Sequence, residues 1–404
     1  METLTIVGCQ FGDEGKGKII DFLSNDFDLS IRFNGGENAG HTVVADHQII
    51  KYHLVPAGFL RARTSVIANG VVINLKTLVE ELKFLSVMRN KFDLKISNLA
   101  HVVTDLHVKR DRFQEELRGS KNIGTTLKGI GPAYESKFGR YGIRMMDLED
   151  PYLLTEKMDF LAKMYHLDYD HSEIDQLLKR YADVNEYVTD TVGYLQNELN
   201  DGKSALFETA QGTFIDVEFG TYPFVTSSHT VSAGVTVGTG LSPRYFSKFL
   251  GVAKAYTTRV GEGYFPTELT GEQAESLRKL GNEFGSTTGR PRRVGFLDLP
   301  MLRMAVKLNS LDYVALTKTD VLGKCKDIRI ATSYEKDGNE INIYDPNLKV
   351  DKVNYVQFEP WSENKKNLEK FIQFIEDDLK VPVTLLGNGE KREEMEVRGE
   401  MQLV

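Results

Sequence analysis

The sequence predicts an α/β fold, a single large domain with a central, mostly parallel β-sheet. In about the first 145 residues, β-rich runs such as "LTIVG" and "LSIRF" alternate with helical patterns such as "LKTLVEELKFLSVMR", whose apolar residues recur every three or four positions. This alternation is typical of parallel strands joined by crossover helices. The length of 404 residues allows one large core or two domains, but no Gly/Pro-rich linker marks a boundary. We therefore expect one domain over residues 1–404.

Further elements follow along the chain. The runs "VIANGVVI" and "AHVVT" continue the first series of strands, and "SALFE", "FLGVAKAYTTRV", "YVALTKTD" and "VPVTLLG" predict later ones. Residues 151–200 have the pattern of polar amphipathic helices, which predicts a helical insertion. The segment "IRIATSYEKDGNEINIYDP" alternates on both sides of Asp337 and Gly338, so it predicts a small antiparallel hairpin.

Composition narrows the classes of protein to consider. Hydrophobic residues make up 41% and charged residues 27% of the chain, which is an ordinary globular balance. No apolar stretch approaches the roughly 20 residues that cross a bilayer. The net charge of -8 argues against nucleic-acid binding through the overall field. Two cysteines, Cys9 and Cys325, provide no disulfide framework, so we expect a cytoplasmic protein. From the charge and the short apolar stretches we expect neither nucleic-acid nor membrane partners.

A glycine-rich loop, "GDEGKGK" at residues 12–18, lies between the first predicted strand and a helical pattern. Gly12, four residues, Gly17 and Lys18 match G-x-x-x-x-G-K, the part of a P-loop that binds phosphate at a helix N-terminus. However, Ile19 stands where a P-loop has the Ser or Thr that binds Mg²⁺, and the loop itself carries two acids. The pattern predicts a P-loop-like phosphate loop, although a glycine-rich connection with solvated charges fits the motif equally well on its own.

A second cluster, "NGGENAGHT" at residues 34–42, also follows a β-like run. Its backbone amides and the imidazole of His41 would meet a ligand at a strand end, with His41 as a general acid. A single histidine beside glycine is also typical of a structural histidine, so both interpretations stay open at this point.

The segment "TKTD" at residues 317–320 closes another predicted strand. The carboxylate of Asp320 would accept hydrogen bonds from both the ring N–H and the exocyclic amine of guanine, whereas adenine has no such pair of donors. Such a contact would select GTP over ATP, although a pattern of four residues on its own is more typical of a polar strand end.

Two further segments carry polar groups. "GSTTGRPRR" at residues 285–293 combines hydroxyl groups with three arginines, which is typical of a clamp for a small dianion or of a solvated basic loop. Gln211, Thr213 and Thr226 lie in "ETAQGTFID" and "GTYPFVTSS", after the strand predicted at "SALFE". Neutral groups of this kind usually satisfy turns.

Taken in order, these segments resemble the adenylosuccinate synthetase family, whose members join aspartate to IMP at the expense of GTP. The matching motifs extend over nearly the whole chain: "GDEGKGK", "NAGHT", "IGTT", "GIGPAYE", "AQGT", "GTYPFVTSS", "AYTTRVGEGYFPTEL", "GNEFGSTTGR", "LNSL" and "TKTD". Several motifs in the correct order are more specific than any one of them. The resemblance implies a single α/β domain on a large, mostly parallel sheet, a homodimer, and Mg²⁺ between the substrates.

The resemblance also implies roles for single residues. Asp13 would take the proton from ring nitrogen 1 of IMP, so that the 6-oxygen attacks the γ-phosphorus of GTP. His41 would be the general acid, and Gln211 would hold the 6-oxygen. Asp13 and the backbone carbonyl of Gly40 would bind Mg²⁺, and Arg140 would reach the IMP phosphate of the neighbouring subunit.

The same resemblance implies three sets of binding residues. The residues implied for GTP are Gly12, Gly15, Lys16, Gly17, Lys18, Gly40, His41, Thr42, Lys318, Asp320, Gly387 and Gly389. Those implied for the purine monophosphate are Asp13, Asn38, Thr126, Arg140, Gln211, Thr226 and Arg290. Those implied for L-aspartate are Thr287, Thr288, Arg290 and Arg292.

The sequence departs from the family pattern at several positions. Lys128 replaces an arginine and so weakens any bidentate phosphate contact there, and Pro291 interrupts a run of arginines. Some viral relatives make the 2-amino analogue of the product from dGMP, with ATP or GTP, and often have serine in place of Asp13. Retention of Asp13 favours IMP but leaves a dGMP-using synthetase open, and a GTP-binding switch protein is the alternative from another class.

Overall fold

The fold is built on strands whose order in the sheet differs from their order along the chain. The computed structural model describes residues 2–45, 48–119, 122–284, 289 and 291–402. Its strands, numbered along the chain, are β1 (Thr3–Gly8), β2 (Leu29–Arg32), β3 (His41–Ala45), β4 (Gln48–Tyr52), β5 (Thr64–Ile67), β6 (Val72–Ile73), β7 (Asp93–Ser97), β8 (His101–Val102), β9 (Val188–Thr189), β10 (Ala205–Glu208), β11 (Lys248–Lys254), β12 (Thr257–Arg259), β13 (Arg293–Gly295), β14 (Leu297–Asp298), β15 (Tyr313–Thr317), β16 (Ile328–Lys336), β17 (Asn339–Ile341), β18 (Lys352–Phe358), β19 (Val383–Gly387) and β20 (Met395–Val397).

Ten of these strands form one large sheet, in the order β20-β19-β15-β11-β1-β10-β2-β5-β7-β9. Neighbouring strands are parallel, except that β20 is antiparallel to β19. The sheet thus combines strands from both ends of the chain, with β1 near its centre. The predicted α/β fold with a large, mostly parallel sheet is confirmed.

Helices cover both faces of this sheet. They are α1 (Lys16–Leu23), α2 (Leu75–Met88), α3 (Asp105–Arg118), α4 (Ile130–Gly139), α5 (Pro151–Tyr165), α6 (Ser172–Ala182), α7 (Thr191–Asn200), α8 (Gly234–Thr239), α9 (Gly271–Gly281), α10 (Leu299–Asn309), α11 (Thr319–Leu322) and α12 (Lys365–Leu379). Among the described residues, no helix is both long and apolar enough to cross a membrane.

The central strand β1 shows why the core lies on both sides of the sheet. All six of its residues are buried, as expected for a parallel strand covered on both faces. Successive side chains point to opposite faces. Leu4 and Ile6 join an apolar cluster with α1, α2, α5 and α6, whereas Val7 joins a second cluster with α10 and α12.

Local sequence explains the helix at residues 75–88. Asn74 caps it by accepting a hydrogen bond from the Lys76 N–H, and Leu75, Leu78 and Leu82 recur on its buried face. The helix matches the predicted segment "LKTLVEELKFLSVMR".

The predicted hairpin around Asp337 and Gly338 is confirmed. β16 and β17 pair in antiparallel register, and Asp337 and Gly338 between them have φ of 50° and 77°. Positive φ at both central residues is the requirement of the two-residue turns that match strand twist. β18 pairs with β16 on the other side and extends this small sheet.

Two predicted strands are each divided in the structure. "VIANGVVI" becomes β5 and β6, and "FLGVAKAYTTRV" becomes β11 and β12, and the members of each pair lie in different sheets. The apolar pattern continues across each break, and hydrophobic periodicity contains no information on where the chain changes direction.

The segment at residues 151–200 is helical, as predicted. It forms α5, α6 and α7, and the short strand β9 between α6 and α7 pairs with β7 at the sheet edge. That residues 1–404 form one domain stays a prediction.

Candidate active site

The candidate residues follow the carboxyl ends of neighbouring parallel strands. The loop that carries Asp13 follows β1, Gln211 follows β10, and Lys318 follows β15. Parallel strands bring their carboxyl ends to one edge of a sheet, and open α/β sheets bind ligands at that edge. The topology therefore gathers segments that are up to 371 positions apart in sequence, as the Lys18 to Gly389 contact shows.

The glycine-rich loop is shaped by a buried carboxylate. Glu14 Oε1 accepts hydrogen bonds from the N–H groups of Gln10 (2.9 Å) and Gly12 (2.8 Å), and Glu14 Oε2 pairs with Lys16 Nζ at 2.8 Å. The side chains of Glu14 and Lys16 are almost completely buried. One of the two loop acids is thus a structural residue, since its oxygens hold the turn together.

Two glycines place the start of α1 beside β3. Gly15 precedes the helix at φ 87°, in the left-handed region. A Cβ on Gly17 would lie 2.8 Å from the Cβ of His41, so only glycine lets the helix approach this closely. The free N–H groups of the helix N-terminus favour an anion, as the motif predicts.

Lys18 links the loop to the end of β19. Its Nζ donates a 2.7 Å hydrogen bond to the carbonyl of Gly389, and a Cβ on Gly387 would lie 3.0 Å from the same Nζ. Burial lowers the pKa of Lys18 to about 8, although the carboxylates of Asp320 and Glu394 raise it. The lysine of the phosphate loop and the glycines expected near the base therefore adjoin.

Asp13 lies among side chains from two distant segments. Its Oδ2 accepts a hydrogen bond from Thr258 Oγ1 (2.5 Å) and lies 3.3 Å from Arg292 Nε, and its Oδ1 lies 3.8 Å from Lys254 Nζ. The Oδ1 atom is buried and accepts no hydrogen bond from the described residues. One carboxylate oxygen is thus fixed and the other is available to a ligand.

Glu283 completes this cluster. Its Oε1 accepts hydrogen bonds from Lys254 Nζ (3.0 Å) and from the Tyr256 hydroxyl (2.5 Å), and its Oε2 accepts one from Arg292 Nη1 (2.6 Å). Burial by itself raises the pKa of Glu283, but the charges of Lys254 and Arg292 outweigh it and hold the pKa below its ordinary value. The carboxylate is therefore ionised at neutral pH.

His41 is oriented by a buried glutamate. Its Nδ1 lies 2.5 Å from Glu208 Oε1, and Glu208 Oε2 accepts a hydrogen bond from the N–H of Ala57 (2.8 Å). A carboxylate only accepts, so Nδ1 carries the hydrogen and the neutral ring keeps a lone pair on Nε2. Nε2 is buried without a partner among the described residues. Burial lowers the pKa of His41, while the charge of Glu208 and its hydrogen bond raise it.

Gln211 is held in an unusual conformation. It has φ 63°, and both its Oε1 and Nε2 are buried without hydrogen bonds among the described residues. A Cβ on Gly35 would lie 3.1 Å from Oε1, and one on Gly12 would lie 3.0 Å from the Gln211 Cα. An unpaired buried amide costs free energy, and left-handed non-glycine residues cluster at ligand sites. Both features indicate a ligand-binding side chain.

The residues expected at the IMP phosphate are partly brought together. Asn38 Nδ2 lies 3.5 Å from Thr226 Oγ1, although these residues are 188 positions apart. Thr126 is exposed in the loop before α4, and Arg140 is exposed where α4 ends. Lys128, in the place of the family arginine, lies 3.4 Å from the buried carboxylate of Glu37.

The two segments expected at the guanine base are neighbours, since Thr317 at the end of β15 pairs with Gly387 at the end of β19. Lys318 Nζ donates to the carbonyl of Gly281 (3.2 Å), and Asp320 Oδ1 is buried without a partner among the described residues. Thr317 Oγ1 donates to the carbonyl of Glu14 (2.6 Å), which ties this strand end to the phosphate loop.

For the remaining predicted site residues the structure gives a position without a contact, or no position. Gly40 precedes β3, and Thr42 lies in β3 with an exposed side chain. Thr287, Thr288 and Arg290 lie outside the described residues, so of the expected aspartate loop only Arg292 is placed.

Sequence reasoning missed five residues that the structure adds to the site. For Lys254, a charged residue inside the apolar run "FLGVAKAYTTRV" was a usable signal, because lysine is rarely buried without a partner. The others lie in segments quoted above, but their residue types alone do not distinguish them from solvated polar residues. The five are Glu14, Glu208, Lys254, Thr258 and Glu283.

Comparison with known proteins decides the family. Residues 5–396 match the family model for adenylosuccinate synthetase. The chain belongs to the adenylosuccinate synthetase family. Adenylosuccinate synthetase of Picrophilus torridus is 45% identical over 410 residues, which cover 96% of this chain and 98% of the relative. That of Enterococcus faecalis is 44% identical over 381 residues, which cover 90% and 88%.

Solved structures agree with this assignment. The fully ligated adenylosuccinate synthetase from Plasmodium falciparum matches with a TM-score of 0.92 and 36% identity, over 99% of this chain and all of the other. A cyanophage S-2L succinoaminodeoxyadenylate synthetase bound to dGMP and dATP matches with a TM-score of 0.65 and 20% identity, over 98% and 95%, which shows the fold alone. As a member of the adenylosuccinate synthetase family, the protein is a GTP-binding ligase of purine biosynthesis that forms a C–N bond.

The contacts of Glu14 generate a prediction. Glu14→Ala leaves Lys16 charged and buried without its partner and leaves two N–H groups unpaired, so we expect it to lower the free energy of unfolding by about 3–5 kcal/mol. Denaturant unfolding of the wild type and of each variant measures the free energy of unfolding. Glu116→Ala, at an exposed position of α3, is the matched control and should change it by less than about 0.5 kcal/mol. Equal stability of the two variants would contradict the role of Glu14.

Proposed function

We propose that the protein joins L-aspartate to IMP with GTP, giving adenylosuccinate, GDP and phosphate through a 6-phosphoryl-IMP intermediate. Family membership supports this reaction. The observation that carries it is a set of three buried groups around one loop that have no hydrogen-bond partner among the described residues: Asp13 Oδ1, His41 Nε2 and the amide of Gln211. Gly12 and Gly17 pack against Gln211 and His41, so all three groups border the same turn.

In the first step, Asp13 removes the proton from ring nitrogen 1 of IMP. The electron pair moves toward the 6-oxygen, which attacks the γ-phosphorus of GTP, and the bond to the β–γ bridging oxygen breaks to release GDP. Gln211 holds the 6-oxygen through its amide N–H. Thr258 fixes one oxygen of Asp13, which supports a defined direction for proton transfer.

Charge neutralisation at the phosphates is the second requirement. The N–H groups at the start of α1 and the ammonium groups of Lys16 and Lys18 would bind the GTP phosphates. His41 would face the transferred group through Nε2, with Glu208 stabilising the imidazolium when it is protonated.

In the second step, the amine of aspartate attacks carbon 6 of the purine. The C–N bond forms, the C–O bond to the phosphoryl group breaks, and phosphate leaves. Arg292 would hold a carboxylate of aspartate, together with Thr287, Thr288 and Arg290 of the same loop. A guanidinium suits this role because its N–H groups match carboxylate geometry.

Mg²⁺ fits the residues present. Asp13 Oδ1 is a carboxylate oxygen without a hydrogen bond, and the described residues contain no cluster of three His, Cys, Asp or Glu that forms a metal cage. Mg²⁺ commonly binds one or two protein oxygens together with substrate phosphates. Asp13 and the carbonyl of Gly40 would hold it, and it would supply charge neutralisation at the transferred phosphoryl group.

The purine monophosphate would be bound through its phosphate by Asn38, Thr126 and Thr226. Arg140 would be added from a second copy, which makes the active unit a homodimer. The exposure of Arg140 at the end of α4 supports this arrangement.

A direct assay tests both the ligation reaction and the choice between IMP and dGMP. We expect purified protein with Mg²⁺, aspartate, GTP and IMP to form a product with the absorption of a succinyl-aminopurine nucleotide. In parallel reactions dGMP replaces IMP and ATP replaces GTP, and kcat/KM is compared. No product with either purine would contradict ligation, and a higher kcat/KM with dGMP would overturn IMP as the substrate. GTP hydrolysis without purine and aspartate would instead favour a switch protein.

The role of Asp13 as the base gives a second prediction. We expect Asp13→Asn to lower kcat by about 10²–10⁴-fold, the usual contribution of a positioned base, with little change in the thermal midpoint. Steady-state kinetics and thermal unfolding measure both effects. Asp26→Asn, at an exposed position, is the control and should keep full activity. A kcat of Asp13→Asn near that of the wild type would remove Asp13 from this role.

Base recognition by Asp320 gives a third prediction. Asp320→Asn places an amide donor against the donors of guanine, so we expect KM for GTP to rise at least about 100-fold while KM for IMP stays within about twofold. Kinetics with GTP and with ITP, which lacks the 2-amino group, measure the loss of discrimination. Asp327→Asn, whose carboxylate contacts Arg329 and Gln273 on the surface, is the control. An unchanged GTP to ITP ratio in Asp320→Asn would rule out this contact.

A further inference from the structure

Two buried charged residues, Glu283 and Lys254, lie beside the reacting groups. Neither touches a substrate in the proposed mechanism. The side chain of Glu283 is 0% exposed and that of Lys254 is 2% exposed. Burying charges costs free energy that their attraction repays only with good geometry and further hydrogen bonds. Both oxygens of Glu283 and the ammonium of Lys254 meet that condition.

The cluster joins the base of the first step to the arginine of the second. From Asp13, contacts run through Thr258 to Lys254: Thr258 Oγ1 donates to Asp13 Oδ2, and Lys254 Nζ donates to Thr258 Oγ1 at 2.7 Å. From Lys254 they continue through Glu283 to Arg292. The path closes on itself, since Arg292 Nε lies 3.3 Å from Asp13 Oδ2.

Glu283 and Arg292 also form the base of the arginine-rich segment. The Arg292 N–H donates to the Glu283 carbonyl at 3.0 Å, and Phe284 and Pro291 form an antiparallel bridge next to them. The Glu283 side chain then attaches this base to β11 through Lys254. The pair of Glu283 and Arg292 is thus fixed to the central sheet by one carboxylate.

We propose that Glu283 is a positioning residue for the aspartate step, acting through Arg292, with Lys254 as the fixed cation that holds it. The proposal rests on the proposed function, because it needs aspartate as the ligand of Arg292. Glu283 holds the Arg292 guanidinium by Nη1, and Asp13 Oδ2 lies 3.3 Å from its Nε. This orientation would present the remaining N–H groups to the incoming carboxylate and keep Arg292 in register with Asp13. Displacement of a positioned group by about 1 Å can cost about 100-fold in rate.

The test separates this role from a general effect on stability. In Glu283→Gln the shape is kept but the charge that holds Arg292 is lost, so we expect KM for aspartate to rise at least about tenfold. KM for IMP and GTP should stay within about twofold. Glu283→Asp keeps the charge and shortens the side chain, so its KM for aspartate should rise less than that of Glu283→Gln.

The matched control is Glu268, the glutamate that pairs with Arg293, the residue after Arg292. Glu268 accepts hydrogen bonds of 2.7 and 2.5 Å from Arg293, so it forms a second glutamate–arginine pair, which does not lead to Asp13. This pair is more exposed, since the Glu268 side chain is 31% exposed and that of Glu283 is 0%. Glu268→Gln should leave all three KM values unchanged. Thermal midpoints of the three variants show how much each substitution destabilises the fold.

The outcomes are distinct. An increase confined to aspartate in Glu283→Gln, absent in Glu268→Gln, supports the proposal. No increase, or equal increases for all three substrates, overturns it, while ligation by the wild type under the same conditions keeps the proposed function. Failure of the wild type to ligate IMP and aspartate would contradict the proposed function itself. If Glu283→Gln does not fold, Glu283→Asp replaces it in the test: an increase of KM for aspartate alone supports the proposal, and any other result overturns it.

Discussion

Parallel pairing of the central strands is the constraint on which the rest of the structure depends. It places the carboxyl ends of β1, β10, β11, β15 and β19 at one edge of the sheet, so their following loops adjoin. Contacts such as Thr317 to the carbonyl of Glu14 join segments separated by 303 positions. A change in the order of these strands would leave every motif intact and would disperse the site.

Buried carboxylates are the second common feature, and each one fixes a group that has to act. Glu14 holds Lys16 and two N–H groups of the phosphate loop, Glu208 holds His41, and Glu283 holds Arg292. Buried ion pairs contribute little net stability in general, but loss of one partner is costly. We interpret these pairs as devices for orientation, because each has a proposed functional group on its other side.

Much of the site could be predicted because its motifs are local. The strand–loop–helix context of the glycine-rich loop, and the polar residues Gln211 and Asp320 after predicted strands, are properties of short segments that sequence periodicity and residue chemistry report. The second acid of the phosphate loop shows the limit of this reasoning. Asp13 and Glu14 are adjacent and chemically alike, and only the contacts of the folded chain show the difference: both oxygens of Glu14 are paired, whereas Asp13 Oδ1 accepts no hydrogen bond from the described residues.

By itself, the sequence determined the α/β class, the glycine-rich loop between a strand and a helix, and the family resemblance, because each depends on local periodicity or on ordered motifs. Only the tertiary structure decided which strands are neighbours, where predicted runs such as "VIANGVVI" are broken, and that Lys254, Thr258 and Arg292 surround Asp13. These are long-range facts: the Thr258 to Asp13 contact spans 245 positions. Local propensity carries no information on such distances, since they are set by strand order and by the need to pair buried charges.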